Sequence, residues 1–512
     1  MADTLREMVL RSRRFGDRIA LRAGSSERTY ADLVDRASRL ARHFVRSGLG
    51  PGDRVAVMVE DGLRSLEPHL AAALAGLVAV PVNARFRTAE LDHILTDCGA
   101  TALVHSAGVR ATVAGSDVVP RLALVLGTGP ADALDTCPEY EALVSHGASG
   151  PPEVTVAASD GAMIGYTSGT TGHPKGAVMT HAAGMAAVRA NVVAFRVVPY
   201  GACAFSGSVS FTALLWALVH PHLYLGCSID MLQPDLTVER WFDRMHEHGS
   251  TFTFVPTPYL DDFAVEATRR PEAVARLVGA CHSASPATAR QREAMAAALG
   301  GVSLESYGMT ETLAAVTVTT SLDLGPDSQA EDPHLTIGRP LPPADVYAVD
   351  ASGRRVAAGE VGELVVESPS LFSGYWGRPE ATATALRGGR LHTGDLGHVD
   401  GRGFVYVDGR EADLIISGGM NVYPAEIERV LHAHPDIEES AVIGVPHLRW
   451  GESICAVVVP RVGSGLTPEE VVRHATQQLA SYKKPTRVEL VTSLPRNANL
   501  KVQKSVLRSR LT

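Results

Sequence analysis

Hydrophobic and polar residues alternate at helical spacing near the start of the chain, in residues 29–48, TYADLVDRASRLARHFVRSG. Thr29 is the predicted N-cap of this helix, and Gly48 is its predicted stop. Short apolar runs then predict strands at 54–59, 100–106 and 122–127, and residues 70–83 predict a helix followed by a strand. Strands that alternate with helices indicate an α/β fold with largely parallel sheets.

The pattern changes twice in the second half of the chain. Residues 340–368 are rich in glycine, proline and short apolar runs, which predict a β subdomain that ends near 405–413. An amphipathic helix, two strands and a second helix are predicted beyond it, at 423–437, 439–447, 453–460 and 468–481. We therefore predict a large α/β domain of mixed sheets with a β subdomain over 1–409, and a small mobile α+β domain over 410–512.

Length and composition are those of an ordinary globular protein. The 512 residues are 45% hydrophobic and 20% charged, and this length predicts two to four domains. The formal net charge of −9 argues against nucleic acid as a partner. An anionic substrate would therefore be bound by local cations and not by the overall field.

Cysteine usage and the amino terminus indicate a cytoplasmic protein. The six cysteines have neither zinc-site nor redox-pair spacing, so we expect small buried thiols in a reducing compartment. The charged N-terminal segment contains no apolar core of a signal peptide. The longest apolar run, Leu70 to Val82, is too short to span a bilayer, so no membrane span is expected.

Residues 166–176, YTSGTTGHPKG, collect hydroxyls and glycines around one lysine, Lys175. Glycine lets backbone N–H groups approach an anion, and the hydroxyls add donors, so this stretch predicts a triphosphate-binding loop. We expect an apolar segment before it and a helix directly after it, within 161–181. A P-loop would need Ser or Thr after the lysine, where Gly176 stands, so that motif is excluded. A flexible surface turn is the alternative.

Five further motifs follow this loop in a fixed order. They are HSASP, YGMTE, HTGDLG, GREADLIISGGMNVYPAEIE and LPRNANLKVQK, at 282–286, 307–311, 392–397, 409–428 and 494–504. Together they resemble the adenylate-forming superfamily of acyl-CoA synthetases, luciferases and peptide-synthetase adenylation domains. The resemblance spans the chain from about Thr29 to Lys504, and an ordered set of this kind is much more specific than any one motif.

The resemblance implies a role for each matched residue. Lys501, Thr310 and Glu311 would be catalytic, with Thr310 at the α-phosphate and Glu311 binding Mg²⁺. Tyr307 would stack on adenine, Asp395 would accept the ribose hydroxyls, and Arg410 would contact ribose and phosphate. The implied ATP- or AMP-binding residues are Thr167, Ser168, Gly169, Thr170, Thr171, Lys175, Ser283, Ala284, Ser285, Ser306, Tyr307, Gly308, Asp395, Val407 and Arg410. Ser417, Gly418 and Gly419 would line the coenzyme A channel.

The segment after the phosphate loop, 205–226, is implied to hold the acid substrate. It contains no acidic residue that would bind the amine of an amino acid, and no Arg or Lys that would bind a dicarboxylate. The predicted pocket residues are small or apolar, which suits a hydrophobic acid: Ser210, Phe211, Leu215, Ala314 and Ala315. The alternative is that much of this helix is ordinary core.

The function predicted from these motifs is acyl-CoA ligation in two steps, with ATP, Mg²⁺ and coenzyme A as cofactors and a hydrophobic carboxylic acid as substrate. The C-terminal domain would rotate between adenylation and thioester formation. Three alternatives stay open: an enzyme competent mainly in thioester formation, an acyl-AMP ligase that loads a carrier protein, and a non-catalytic acyl or nucleotide binder. A homodimeric assembly is a further open point.

Two residues depart from the family pattern and lead to a prediction. Leu500 stands where the family usually has glycine before the catalytic lysine, and Ala412 stands at the hinge in place of Lys or Asp. If the Leu500 side chain hinders Lys501 at the α-phosphate, acid-dependent ATP–pyrophosphate exchange will be weak while a supplied acyl-adenylate is still thioesterified. Exchange at ordinary family rates would show instead that Leu500 points away from the phosphate.

Overall fold

The computed structural model describes residues 3–129, 138–147, 150–167, 174–233, 236–283, 287–313, 315–320, 323, 328–333, 335–417, 420–448, 450–497 and 501–511. Numbered in chain order, the strands are β1 Ile19–Ala23, β2 Ser26–Thr29, β3 Arg54–Met58, β4 Val78–Pro81, β5 Ala102–His105, β6 Leu124–Gly127, β7 Gly161–Thr167, β8 Lys175–Thr180, β9 Ala202–Phe205, β10 Ser228–Met231, β11 Phe252–Phe254, β12 Gly279–Ser283, β13 Ser303–Tyr307, β14 Thr317–Thr320, β15 Arg339–Pro340, β16 Asp345–Val349, β17 Gly362–Glu367, β18 Gly374–Tyr375, β19 Leu386–Arg387, β20 Arg390–Val399, β21 Val405–Arg410, β22 Ile415–Ser417, β23 Met420–Val422, β24 Ile437–His447, β25 Gly451–Pro460 and β26 Arg487–Leu490.

Helices connect most of these strands and cover their sheets. The α-helices span Leu5–Ser12, Tyr30–Arg46, Glu67–Ala75, Thr88–Cys98, Arg110–Ala114, Pro138–Ser145, His181–Ala194, Thr212–Leu214, His220–Tyr224, Val238–His248, Leu260–Arg269, Pro271–Val274, Ala289–Leu299, Pro379–Ala385, Pro424–His432, Pro468–Gln478 and Lys504–Leu511. The predicted cap of the second helix is confirmed, because the Thr29 hydroxyl accepts the backbone N–H of Asp32.

Two large sheets build the N-terminal part of the described chain. One has the strand order β15-β14-β13-β12-β11-β9-β10-β1-β2, and the other has the order β18-β8-β7-β4-β3-β5-β6. Their central strands are parallel. Antiparallel pairs lie at both edges of the first sheet and at the β18-β8-β7 edge of the second, whereas its other edge strand, β6, is parallel to β5, which agrees with the predicted mixed α/β class. One apolar core joins both sheets through the helices Glu67–Ala75 and His181–Ala194.

Two smaller sheets follow in the second half of the chain. The β subdomain has the order β16-β17-β20-β19, and β21 also pairs with β20. The C-terminal sheet has the order β23-β22-β25-β24, with β26 beside β25, and its own apolar core includes Ile427 and Val458. The domain boundary predicted between residues 409 and 410 falls inside β21 and stays a prediction.

The expectation of a helix directly after the phosphate loop is wrong. Lys175 opens strand β8, which pairs antiparallel with β7, and the helix begins only at His181 behind its Thr180 cap. The run Gly176 to Thr180 is long enough to complete a hairpin with β7, and that tertiary pairing decides between strand and helix for so short an apolar run. The described residues on either side of the loop therefore pair as two antiparallel strands, and the chain after it continues as a strand before the helix begins.

Two predictions about the whole chain can be compared with the described residues. Within them, no helix is long and apolar enough to cross a membrane. Cys98, Cys203, Cys227, Cys281 and Cys455 are buried and free, as expected for small core residues. The sixth cysteine, Cys137, lies outside the described residues.

Candidate functional site

A buried carboxylate, Asp395, joins three segments that are far apart in the sequence. Tyr307 at the end of β13 donates its hydroxyl to Asp395 Oδ2 at 2.7 Å. Arg410, at the end of β21, lies directly opposite Asp395 of β20, and its Nε pairs with Asp395 Oδ1 at 2.9 Å. Asp395 is only 3% exposed, so these two partners compensate a charge that water does not reach.

The electrostatics of this group keep both partners in their donor forms. Burial raises the pKa of the Tyr307 phenol well above its usual value, and the Asp395 charge raises it further. The same Asp395 charge is the largest cause of the raised pKa of Arg410, which burial opposes. Tyr307 therefore stays a neutral donor and Arg410 stays a cation at any physiological pH.

The predicted adenine-binding strands lie next to each other. The Ser283 hydroxyl at the end of β12 donates to the backbone carbonyl of Ser306 at 2.8 Å. These two strands run parallel, and Gly308 and Thr310 follow Tyr307 at the same edge of the sheet. Val407 lies opposite Gly397 in the β20–β21 pair, on the other side of the Asp395 group.

Glu311 lies in the short 3₁₀ turn Thr310–Thr312. Its carboxylate accepts a hydrogen bond from the Tyr375 hydroxyl at 2.7 Å, and its backbone carbonyl accepts the Phe372 N–H at 2.8 Å. Leu313, directly after the turn, is fully buried with φ of 55°, a strained conformation for a leucine. The backbone at this loop is therefore held by its surroundings and not by local preference.

The hairpin that carries the phosphate loop approaches the same region. Thr167 and Lys175 face each other across the hairpin, and Lys175 Nζ lies 5.4 Å from the centre of the Tyr375 ring. Tyr375 was not selected from the sequence, where GYW reads as a simple turn. Ser168, Gly169, Thr170, Thr171, Ala284, Ser285, Ala314, Gly418 and Gly419 lie outside the described residues.

Lys501 reaches this site from the C-terminal domain. Desolvation lowers the pKa of its ammonium, the Arg410 charge lowers it further, and the Asp395 and Glu311 carboxylates raise it. Lys501 is nonetheless an exposed residue. The Asn497 N–H donates to the Lys501 carbonyl at 2.9 Å, and the Lys501 N–H donates to Asn497 Oδ1 at 3.0 Å, so the Lys501 backbone is tied to Asn497. Leu500 lies outside the described residues.

The hinge and the predicted coenzyme A channel lie in the C-terminal half. Ala412 is exposed in the turn Glu411–Asp413, and Asp413 pairs with Arg508 of the last helix at 2.8 Å. Ser417 ends β22 opposite Gly451 in the C-terminal sheet. The contacts described for Ser417 are with that sheet and not with the Asp395 group.

The predicted acid-pocket segment is less regular than expected. It consists of a short helical turn, a π-helical turn over Leu215–Val219 and the helix His220–Tyr224. Ser210 and Phe211 are partly exposed, whereas Leu215 and Ala315 are buried. Two of the predicted pocket residues are thus accessible and two are buried, and the pocket stays a prediction; π-helical turns are often found at functional sites.

Two residues that the sequence did not single out hold this segment. Buried Asn191 donates to the Trp216 carbonyl at 3.2 Å and accepts the Ala315 N–H at 3.1 Å, so it ties two predicted pocket walls together. Asp61, just after β3, accepts the Val209 N–H at 2.8 Å. Neither contact has a local sequence signal, because each partner lies more than 20 residues away.

Comparison with known proteins agrees with this geometry. The model for the family "AMP-binding enzyme" matches residues 10–376, and the model "AMP-binding enzyme C-terminal domain" matches residues 426–501. The chain is 36% identical over 505 residues to a feruloyl-CoA synthase of an Amycolatopsis species, with 98% of each chain covered. It is 32% identical to the fatty acid–[acyl-carrier-protein] ligase ScoC of Streptomyces coeruleorubidus, over 94% of this chain and 91% of that protein.

Solved structures add the arrangement of the domains. ATP-bound MatB from Rhodopseudomonas palustris, 30% identical, matches with a TM-score of 0.87 over 100% of this chain and 99% of that one. Its apo form matches over the same lengths with a TM-score of 0.77. The resemblance read from the motifs is thereby confirmed, and the chain belongs to the family of AMP-binding enzymes, the adenylate-forming superfamily of acyl-CoA ligases.

Proposed function

We propose that the chain is an ATP-dependent acyl-CoA ligase that adenylates a hydrophobic carboxylic acid and passes the acyl group to coenzyme A. The observation that carries the proposal is the convergence of Tyr307, Asp395 and Arg410, with Lys501 near enough for their charges to act on its pKa. A nucleotide needs an aromatic face, an acceptor for ribose hydroxyls and cations for its phosphate. These four residues offer all of them in one cleft.

In the first step, a carboxylate oxygen of the acid would attack the α-phosphorus, and the bond to pyrophosphate would break. Negative charge spreads over the phosphate oxygens in such a transition state, so fixed cations and donors supply most of the catalysis. Lys501 and Arg410 would face the α-phosphate, and Lys175 would face the outer phosphates. Asp395 would hold the ribose and so fix the phosphate in line.

A divalent cation would fit beside Glu311. Among the described residues, no group of three or more His, Cys, Asp and Glu side chains is gathered that would hold a metal alone. Mg²⁺ commonly binds through one or two carboxylates together with substrate phosphates and water, and Glu311 offers one carboxylate. When bound, the cation would supply charge neutralisation of the phosphate oxygens.

In the second step, a thiolate would attack the acyl carbon and AMP would leave. Ser417 would have to move to the site, because it lies in the C-terminal sheet in the present arrangement. That arrangement resembles ATP-bound MatB more than apo MatB, which fits a conformation poised for adenylation. A rotation about the turn that contains Ala412 would exchange Lys501 for the predicted channel.

The identity of the acid and the identity of the thiol acceptor are two separate proposals. The relatives include a feruloyl-CoA synthase and a fatty acid–carrier-protein ligase, so an aryl propenoic acid and a fatty acid are both candidates. The higher identity to the feruloyl-CoA synthase favours an aryl acid with coenzyme A as acceptor. Parallel incubation of a panel of both acid classes with coenzyme A or a holo-carrier protein, read as AMP release and thioester, separates these options.

Substitution of Lys501 tests the assignment of the first step. We expect Lys501→Ala to lower acid-dependent ATP–pyrophosphate exchange by about 100-fold or more, because a fixed cation at the α-phosphate is lost. Thioester formation from a supplied acyl-adenylate should change by less than about threefold, since AMP departure does not need that lysine.

Lys504→Ala is the matched control for this experiment. Lys504 lies three residues away and pairs with Glu428 at 2.7 Å, on the C-terminal domain. Its loss should leave both half-reactions near wild type. Equal losses in the two half-reactions of Lys501→Ala would contradict the assignment.

Asp61 bears on the kind of acid that the pocket accepts. The sequence segment 205–226 contains no acid, but the fold brings the Asp61 carboxylate to Val209. Burial raises the pKa of Asp61 to about 6, and hydrogen bonds from Val209 and Ser208 partly oppose this, as does the Arg85 charge. Because both of these bonds come from the segment itself, we infer that Asp61 holds the segment in place.

The raised pKa of Asp61 predicts a pH-dependent stability difference. The folded protein binds the Asp61 proton more tightly than the unfolded chain, so this group destabilises the fold as pH rises from about 4 to 6. Asp61→Asn keeps an acceptor for Val209 without the charge. The free energy of unfolding of Asp61→Asn should therefore exceed that of wild type by an amount that grows through that window and levels off above pH 6, at most about 3 kcal/mol. Thermal unfolding across pH 4–8 measures it, and a gain independent of pH would refute the raised pKa.

A further inference from the structure

Tyr375 occupies the space between the phosphate-loop hairpin and Glu311. Its short strand β18 pairs antiparallel with β8, and the flanking backbone bonds Trp376 N–H to Gly176 O and Ser373 N–H to Val178 O are 2.7 and 2.9 Å long. The backbone N–H of Tyr375 is bound by the Thr382 hydroxyl at 2.9 Å. The main chain on both sides of Tyr375 is therefore fixed.

The Tyr375 side chain extends from this strand to the predicted metal carboxylate. Its hydroxyl donates to Glu311 Oε1 at 2.7 Å, while Phe372 of the same segment binds the Glu311 carbonyl. The Phe372 ring packs edge-on against the Tyr375 ring at 4.9 Å. One segment thus holds both the main chain and the side chain of Glu311, and leaves the second carboxylate oxygen for another partner.

The Tyr375 ring also faces Lys175 of strand β8. Lys175 Nζ lies 5.4 Å from the ring centre, within the range of a cation–π contact. Tyr375 therefore contacts the predicted cation for the outer phosphates and the predicted ligand of the metal at once. A group in this place can set the distance between the two before nucleotide arrives.

We propose that Tyr375 is a positioning residue that orients the Glu311 carboxylate for the divalent cation bound with ATP. The proposal rests on the proposed function, because it takes Glu311 as the metal ligand. A hydrogen-bond partner behind a ligating carboxylate commonly contributes 10–100-fold to metal affinity. Tyr375 itself contacts neither nucleotide nor acid in this role.

The test removes only the hydroxyl, as Tyr375→Phe, and follows nucleotide binding by calorimetry. ATP is titrated at a series of Mg²⁺ concentrations, and AMP is titrated without metal. We expect the Mg²⁺ concentration for half-maximal ATP affinity to rise by about 10-fold or more. AMP affinity should stay within about twofold, because AMP depends on the Asp395 group. An unchanged Mg²⁺ requirement, or an equal loss for AMP, would overturn the proposal.

Tyr347→Phe is the matched control. The Tyr347 hydroxyl donates to Glu367 Oε1 at 2.6 Å between β16 and β17, so the variant removes the same kind of tyrosine–glutamate bond elsewhere. It should leave the Mg²⁺ requirement unchanged. If Tyr347→Phe raises it as much as Tyr375→Phe does, the effect is a general loss of stability and the proposal fails.

Glu311→Gln separates a failure of this proposal from a failure of the proposed function. If Glu311→Gln leaves the Mg²⁺ requirement unchanged, the metal ligand is wrongly assigned and both ideas fail. If Glu311→Gln raises it and Tyr375→Phe does not, only the role of Tyr375 fails. In the double variant, Tyr375→Phe should add less than about twofold to the effect of Glu311→Gln, since the two residues act through one carboxylate.

Discussion

The pairing of buried Asp395 with Arg410 and Tyr307 is the constraint on which the candidate site depends. A carboxylate that is 3% exposed is costly unless its oxygens are satisfied, and here Tyr307 and the half-exposed Arg410 each satisfy one oxygen. The partners come from the large nine-stranded sheet and from the β subdomain. These two parts must therefore pack correctly before the carboxylate is paired, which links the site to the fold.

The remaining site residues lie at strand ends or at a sheet edge, and this placement brings them toward that pair. Strand β13 leads directly into the turn that carries Glu311, and β8 brings Lys175 beside Tyr375 at the edge of the second large sheet. The C-terminal domain then adds Lys501 above the same cleft. Under the proposed function, adenylation would use groups from all of these parts at once, and the second step would need Lys501 to leave. The exposed turn Glu411–Asp413, tied to the last helix through Asp413, is where that movement would occur.

Much of the site was predictable because its motifs occur in a fixed order. Tyr307, Asp395 and Arg410 meet as expected, and the capped helix after Thr29 and the central parallel strands follow from apolar periodicity. The contribution of Tyr375 was not predictable, since it depends on a two-residue strand pairing with β8. The misjudged helix after the phosphate loop has the same cause: the short run Gly176 to Thr180 takes its structure from the strand that pairs with it.

The central claim is that Asp395 binds the ribose of a nucleotide, and the most direct measurement compares AMP with 2′,3′-dideoxy-AMP by calorimetry. Hydrogen bonds to a charged group contribute about 1.5–3 kcal/mol each, so wild type should prefer AMP by at least about 10-fold. In Asp395→Ala the preference should fall below about twofold, whatever the absolute affinity of the variant. A preference for AMP that is equally large in both proteins would contradict the account.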